Sequence, residues 1–287
     1  MADIRNQVYG VEVEMVGLSR ESACRTLARH WGVEPEYYGG SYGKWFCKDQ
    51  KGRKWTFMSD ASICGIGNEM VTPVLGWDDI ELLQDAIRTL RTAGGKADTS
   101  CGIHVHVGAD EHTPKTLKNL LNVGYTHYEL LKEALGFGYR SGWCAKHDQR
   151  FINDINTHDV KSLDKLSEYW YGTCRGDYYG KVSKGDADNA KYQHYNSSRY
   201  HLVNLHSYFQ GKGVEFRAFN STMHAGEIKA YVQFCCALNA TAINCRYCTY
   251  RNESATDKKT MESWLKALGL TGDEFKTCRL HMTKNLH

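Results

Sequence analysis

Residues 101–108 read CGIHVHVG, with Ile103, Val105 and Val107 on one parity and His104 and His106 on the other. Side chains on a strand repeat every two residues, so this run predicts a strand whose two histidines share one face. Residues 8–18, VYGVEVEMVGL, alternate in the same way: Val11, Val13 and Val8 are expected on one side, Glu12 and Glu14 on the other. Two further runs, RYHLVNLHSYF and GVEFRAFN, read as strands joined by a turn at 210–213, pairing Asn204 with His206 and Glu215 with Arg217. Solvated strand faces usually carry Thr, Lys or Ser, whereas Glu is depleted in strands. Here the polar positions are almost all metal ligands or anion binders.

Around these strands the remaining segments take their places. ESACRTLARHWG has helical spacing with a stop at Gly32, and KWFCKD, a turn at 50–52, and RKWTFMSD predict a hairpin. A short strand is expected at NEMVTPVL, a helix from about Trp77 to Thr92 and another from Pro114 to about Leu135. A helix from about Ala225 to Tyr250 and shorter ones near Met261 and Gly272 follow. Residues 136–198 are rich in Gly, Tyr, Asp and Lys and show one helix-like piece, VKSLDKLSEYW, so they read as a lid or specificity insertion. Hairpin-linked strands interspersed with helices predict an α+β fold, a mixed or antiparallel sheet backed by helices on one face, in one catalytic domain over 1–287.

Composition bounds the alternatives. The 287 residues carry 36 Lys+Arg against 33 Asp+Glu, and that excess of +3 predicts no nucleic-acid partner. No window approaches ~18 uninterrupted apolar residues and MADIRNQVYG has no basic-then-apolar leader, so a cytoplasmic protein without a membrane partner is expected. The eleven cysteines are read as reduced thiols, and the pair Cys245 and Cys248 as core residues of a buried helix. No heptad pattern marks an interface, which leaves a homo-oligomer as open as a monomer. Carboxylates of Glu12, Glu14, Glu69 and Glu215 gathered on one face would repel, so the set demands cations. Oxygen-rich ligation suits Mg²⁺ or Mn²⁺ better than Zn²⁺, and Arg217 and Arg199 are suited to bidentate phosphate contacts. GGSYGK near Gly39 lacks the ending of a phosphate-binding loop and is expected to be a turn.

GVEVE, the Asp60-x-Ser62 pair followed by NEMVTP, then CGIHVHVG and RYHLVNLHSYFQGKGVEFRAFNSTMHAG, resemble the ordered motifs of the amidoligase family. These are carboxylate–amine ligases related to glutamine synthetase and glutamate–cysteine ligase, and the matched motifs run from Gly10 to about Asn244. The resemblance implies a curved, mostly antiparallel sheet of glutamine synthetase type, with helices on its convex face and the active site on its concave face. It implies ATP with Mg²⁺, and activation of a carboxylate as an acyl phosphate that an amine attacks to give an amide, ADP and phosphate. By match to the motifs, Glu14 and Glu69 would hold one Mg²⁺, while Glu12, His104 and Glu215 would hold the other. His106 would lie against the nucleotide phosphates, with Asn204 in the same motif. Arg217 would stabilise the transferred phosphoryl group, Arg199 heads the motif before Asn204, and Asp60 would position or deprotonate the amine. Only one clear glutamate lies on the second strand, so the first metal site is completed by water or by Asp60. The chain is much shorter than glutamine synthetase and shows no N-terminal domain like its own, so the substrates, whether amino acid, peptide or protein side chain, do not transfer. A metal-dependent hydrolase using His104 and His106, or a guanidino-type phosphotransferase on the same fold, are the alternative readings. The tyrosines of the insertion, with Arg140, Trp143 and Arg150, are candidates for substrate contact.

Overall fold

The computed structural model describes residues 1–251 and 255–287. The chain runs β1 (Tyr9–Val16), α1 (Arg20–Trp31), β2 (Glu36–Gly39), β3 (Lys44–Lys48), β4 (Lys54–Met58), β5 (Gly67–Val71), α2 (Ile80–Thr92) and β6 (Gly102–Val107). Then follow α3 (Pro114–Thr126), α4 (Tyr128–Leu135), α5 (Gln149–Thr157), α6 (Leu163–Trp170), β7 (Thr173–Cys174), β8 (Asp177–Tyr178) and α7 (Lys184–Lys191). The last part holds β9 (Val203–Asn204), α8 (Leu205–Phe209), β10 (Val214–Asn220), α9 (Ala225–Asn244), α10 (Lys258–Ala267) and α11 (Lys276–Thr283). Eight strands form one sheet in the order β2-β3-β4-β5-β1-β6-β10-β9, and every neighbouring pair is antiparallel.

Local chemistry sets the boundaries. Ser19 caps α1 by accepting from Ser22 N at 3.1 Å, and Gly32 ends the helix in the left-handed region at φ 66°. On β1 the buried parity is Tyr9, Val11, Val13 and Met15. Val8, expected beside Val11, precedes the strand and is exposed, because it lies on the opposite parity and Tyr9 takes the buried place. Val11, Val13, Phe57, Met70, Ile103, Val105 and Phe216 belong to a core shared with α1, α2, α3 and α9. α1 contacts β3, β4 and β5, and α9 contacts β6. β2 was not legible in the sequence: it is an exposed edge strand with no apolar alternation. Gly40 to Gly43, following β2, is a turn, as expected.

Three expectations change. The strand over RYHLVNLHSYF shrinks to Val203–Asn204, and the chain then enters α8, with Asn204 Oδ1 capping it by accepting from His206 N at 2.8 Å. Asparagine favours that cap over a continuing strand, so His206 does not share a strand face with Asn204. The helix from Pro114 breaks at His127, where Thr126 Oγ1 accepts from Arg251 N and the His127 ring stacks on Trp264. α9 ends at Asn244 rather than Tyr250, because buried Asn119 takes over the following backbone, donating to Cys245 O at 2.9 Å and accepting from Cys248 N at 2.9 Å. Cys245 and Cys248 therefore lie after the helix, Cys248 buried and Cys245 half-buried. All eleven cysteines are free thiols.

Residues 136–198 contain more structure than one helix. α5, α6 and α7 surround buried Phe151, Ile152, Ile155, Leu166, Trp170 and Tyr178, a packing supplied largely by aromatic rings that an aliphatic count undervalues. The segment joins the strand region through Ala145, whose N donates to Tyr200 O at 3.0 Å and whose O accepts from Leu202 N at 3.1 Å. No helix among the described residues is long and apolar enough to cross a membrane.

Candidate active site

The strand registers assemble the polar row directly. Glu69 of β5 is paired with Glu14 of β1, Glu12 of β1 with His104 of β6, His106 of β6 with Glu215 of β10, and Glu215 with Asn204 of β9. Because each pair is in register, the parity read from sequence becomes one continuous stripe across five strands. Glu14, Glu69, His104, Glu215 and Arg217 are each 5% exposed or less, which removes them from the class of solvated sheet faces.

Glu12 is the hub. Its Oε2 lies 2.9 Å from His104 Nδ1 and its Oε1 3.1 Å from His106 Nε2. Burial alone would raise its carboxyl, yet His106 and His104 hold it well below the usual range. With Nδ1–H on Glu12, the His104 tautomer has its lone pair on Nε2, a buried atom with no hydrogen-bond partner among the described residues. His106 is pushed up by Glu12 and Glu215 against its burial, and Ser207 Oγ lies 3.2 Å from its Nδ1.

Glu215 accepts from Asn204 Nδ2 at 2.5 Å and pairs with Arg217 Nη1. Against its burial, Arg217, His106 and His104 depress its carboxyl to about 2. Arg217 also donates from Nε to Trp143 O at 3.3 Å, so the insertion supports it. The ladder between β10 and β6 shifts by one residue between Phe216 and Phe219, and that irregularity contains Arg217. A bulge re-aims side chains locally, and here it turns the guanidinium back onto Glu215.

At the other end of the row Glu14 and Glu69 have no ion pair among the described residues. Burial, then Glu12, Glu14, Asp60 and Glu215, raise Glu69 well above its ordinary value, and burial raises Glu14 although Gly102 N donates to its Oε2 at 2.5 Å. Asp60 Oδ1 accepts from Ser62 N at 2.7 Å and Ser62 Oγ at 2.5 Å. Ligand atoms of Glu14, Asp60 and Glu69 lie within 4.8 Å of one another, as do those of Glu12, Glu69 and His104, and of Glu12, His106 and Glu215. Two carboxylates at that separation repel by about 3.5 kcal/mol at an effective dielectric near 20. The unpartnered His104 Nε2 and this oxygen-rich set fit hard divalent cations. Geometry groups Glu215 with His106 in one cluster and His104 with Glu69 in another, so Glu12 and Glu69 are each shared between clusters.

A cavity of about 250 Å³ lies over part of the row, walled by Glu12, Asp60, Glu69, His106, Arg199 and Glu215, while Glu14, His104 and Arg217 are off its wall. Tyr42 closes one side: its hydroxyl is 2.6 Å from Tyr195 Oη and 3.2 Å from His194 Nε2. Sequence reasoning missed Tyr42 and His194, because the loop carrying Tyr42 has no periodicity to place it, and reached Tyr195 only as one of the insertion's tyrosines. Arg199 donates to His194 O at 3.4 Å, and its Nε is buried with no partner. Both ends of the Asn204 amide are taken, by Glu215 and His206 N, so it orients the row from its end. Arg140 does not reach the cavity: it is buried, donating to Phe219 O at 2.6 Å. Arg150 is exposed on Asp148, also off the cavity wall.

A family model described as "Putative amidoligase enzyme" matches residues 5–239 and so contains every residue of the row. The chain belongs to this amidoligase family. Membership makes it a ligase-type enzyme, with a carboxylate and an amine as the substrates the name implies. No curated protein matches the chain. In this amidoligase the polar stripe, its arginine and the cavity above them all lie inside the matched residues, whereas α10 and α11 lie outside.

Proposed function

We propose that this amidoligase is an ATP-dependent carboxylate–amine ligase of the cytoplasm, joining its substrates through an acyl phosphate with release of ADP and phosphate. On this reading the sheet is of glutamine synthetase type, with helices on its convex face, in one catalytic domain whose segment 136–198 is a lid. The observation that carries the reading is the in-register row Glu69, Glu14, Glu12, His104, His106 and Glu215 with Arg217 behind it. Mg²⁺ or Mn²⁺ would be held by Glu14 and Glu69 with water, and by Glu12, Glu215 and the two histidines. Bound there, the cations would neutralise the nucleotide phosphates, which is most of what phosphoryl transfer requires.

The chain's own groups supply the rest. Arg217 brings a fixed positive charge to the transferred phosphoryl group, held ready by Glu215 and Trp143 O. Asp60, whose Oδ1 is fixed by Ser62, has Oδ2 to take the proton of the attacking amine. A groove of about 820 Å³ shares Glu12, His106 and Lys212 with the cavity and is walled by Val8, Gly10, Val71, Gly108 and Tyr208. Its apolar and glycine walls suit the flat base of a nucleotide, with the phosphates directed to His106. The contact of Tyr42 with His194 and Tyr195 closes the cavity against water, which would otherwise hydrolyse the acyl phosphate.

The test is a nucleotide-release screen across amines, carboxylates, peptides and whole proteins. ADP release that needs both a carboxylate and an amine is expected. AMP release would exclude the acyl phosphate, and ADP release with a single guanidino compound would assign the chain to the phosphotransferases instead.

A further inference from the structure

A second group of ligand-type side chains lies away from the row and shares no residue with it. His224 caps the start of α9, Glu227 follows in its first turn and His281 comes from α11, with ligand atoms all within 4.8 Å of one another. His281 and Glu227 are largely buried while His224 is exposed, so the group opens to solvent on one side.

The donors converge over Gly226. A Cβ on that residue would lie 3.2 Å from His281 Nε2, 3.3 Å from His224 Nδ1 and 3.0 Å from His224 Cε1. Glycine inside a helix costs up to about 1 kcal/mol relative to alanine, and here its lack of a side chain leaves room where both rings point. His224 Nδ1 accepts from Glu227 N at 3.2 Å, so ligation through that nitrogen would exchange the helix cap for a bond to the metal. His281 Nδ1 lies 3.7 Å from Glu227 Oε1, beyond hydrogen-bond distance, and its Nε2 faces Gly226. Lys284 Nζ, 2.5 Å from Glu227 Oε1, is the competing cation, and it is on an exposed, flexible side chain that can withdraw to water.

We propose that His224, Glu227 and His281 form a separate transition-metal site, of the Zn²⁺ class, that ties α11 to the first turn of α9. Two imidazoles and one carboxylate are a nitrogen-rich set that favours Zn²⁺ over Mg²⁺, and the fourth position is left to water. The site depends on α11, which lies outside the residues shared with the amidoligase family, so it is a feature of this chain and independent of the ligase reading.

Full-length protein is dialysed against Zn²⁺ with excess Mg²⁺ present, and its metal content is measured. Wild type and Cys245→Ser are expected to retain one Zn²⁺ per chain that His281→Gln loses. Gly226→Ala keeps all three donors, favours the helix and fills the space between the rings, so it is expected to lose the same equivalent while unfolding in the absence of metal no more easily than wild type. A wild type that retains no Zn²⁺, or either variant retaining as much as wild type, overturns the proposal.

Discussion

Glu14 and Glu69 stand directly opposite each other on β1 and β5, both almost fully buried, with no ion pair to either side chain among the described residues. Burial and neighbouring carboxylates hold Glu69 well above its ordinary value, so near neutral pH this pair weakens the metal-free fold. Glu69→Gln is therefore expected to stabilise the metal-free protein by about 1–2 kcal/mol, raising Tm by roughly 2–6 °C for a chain of this size. The same change should remove most of the stabilisation that Mg²⁺-ATP gives by mass action. Thermal unfolding with EDTA and with Mg²⁺-ATP checks both. A variant less stable in EDTA would mean that Glu69 is paired in a way its surroundings do not suggest.

Arg217 reaches its position through a bulge and is shared between Glu215 and Trp143 O. Arg217→Lys keeps a positive charge beside buried Glu215 but cannot reproduce the planar fork. We expect a fall in kcat of about 10³-fold, with the KM for ATP changed by less than about tenfold, as for loss of a group that acts mainly in the transition state. Steady-state kinetics once the substrates are known will decide, and a raised KM for ATP with kcat unchanged would assign Arg217 to nucleotide binding.

How much of this was legible beforehand differs by residue. Glu12, Glu14, His104, His106 and Glu215 could be placed because strict alternation on β1, β6 and β10 fixes parity, and antiparallel pairing then lines up the pairs. His206 was misplaced because Asn204 can either continue a strand or cap a helix, and only tertiary context chooses. Tyr42 and His194 were invisible, since they meet across about 150 residues through loops without periodicity. Arg140 looked like a surface contact in a polar segment, yet it is buried against β6 and β10.

That burial gives a sharp test at Gly102. A Cβ there would fall 2.0 Å from Arg140 Nη2, and Gly102 N is the donor to Glu14 Oε2. Gly102→Ala must either displace a buried guanidinium from Phe219 O or shift the strand that carries His104. A loss of about 3 kcal/mol is expected from urea unfolding, comparable with breaking a buried charged hydrogen bond. A change below about 0.5 kcal/mol would show that Arg140 relocates freely.

Tyr42→Phe removes the hydroxyl that meets Tyr195 and His194 while leaving the ring. Stability should change by less than about 1 kcal/mol, because the contact is exposed. The chemical consequence is expected to be larger: with the cavity closed less well, more acyl phosphate is lost to water, and ADP released per amide formed rises above one. Coupled measurement of both products tests this, and a ratio unchanged from wild type would remove Tyr42 from the closure.

His147 and His201 stack with ring centroids 4.3 Å apart inside the packing of Phe151 and Trp170. Burial lowers His201 to about 4, and burial with the His201 charge holds His147 well below its ordinary value. Both are neutral in the fold at pH 7, as they are in the unfolded chain, so they cost nothing there. As the pH falls below about 6.5 the unfolded chain takes up protons that the fold refuses, and stability drops until His201 titrates near 4 in the fold. From the His201 shift alone the loss is about 2 kcal/mol by pH 5, with His147 adding to it in the same direction. His201 donates from Nδ1 to Ser198 O and accepts at Nε2 from Gly176 N, roles that a glutamine amide can fill. His201→Gln is thus expected to flatten the fall in stability between pH 6.5 and 5 by about half, measured by urea unfolding at each pH. An unaltered slope would show that other groups carry the acid sensitivity.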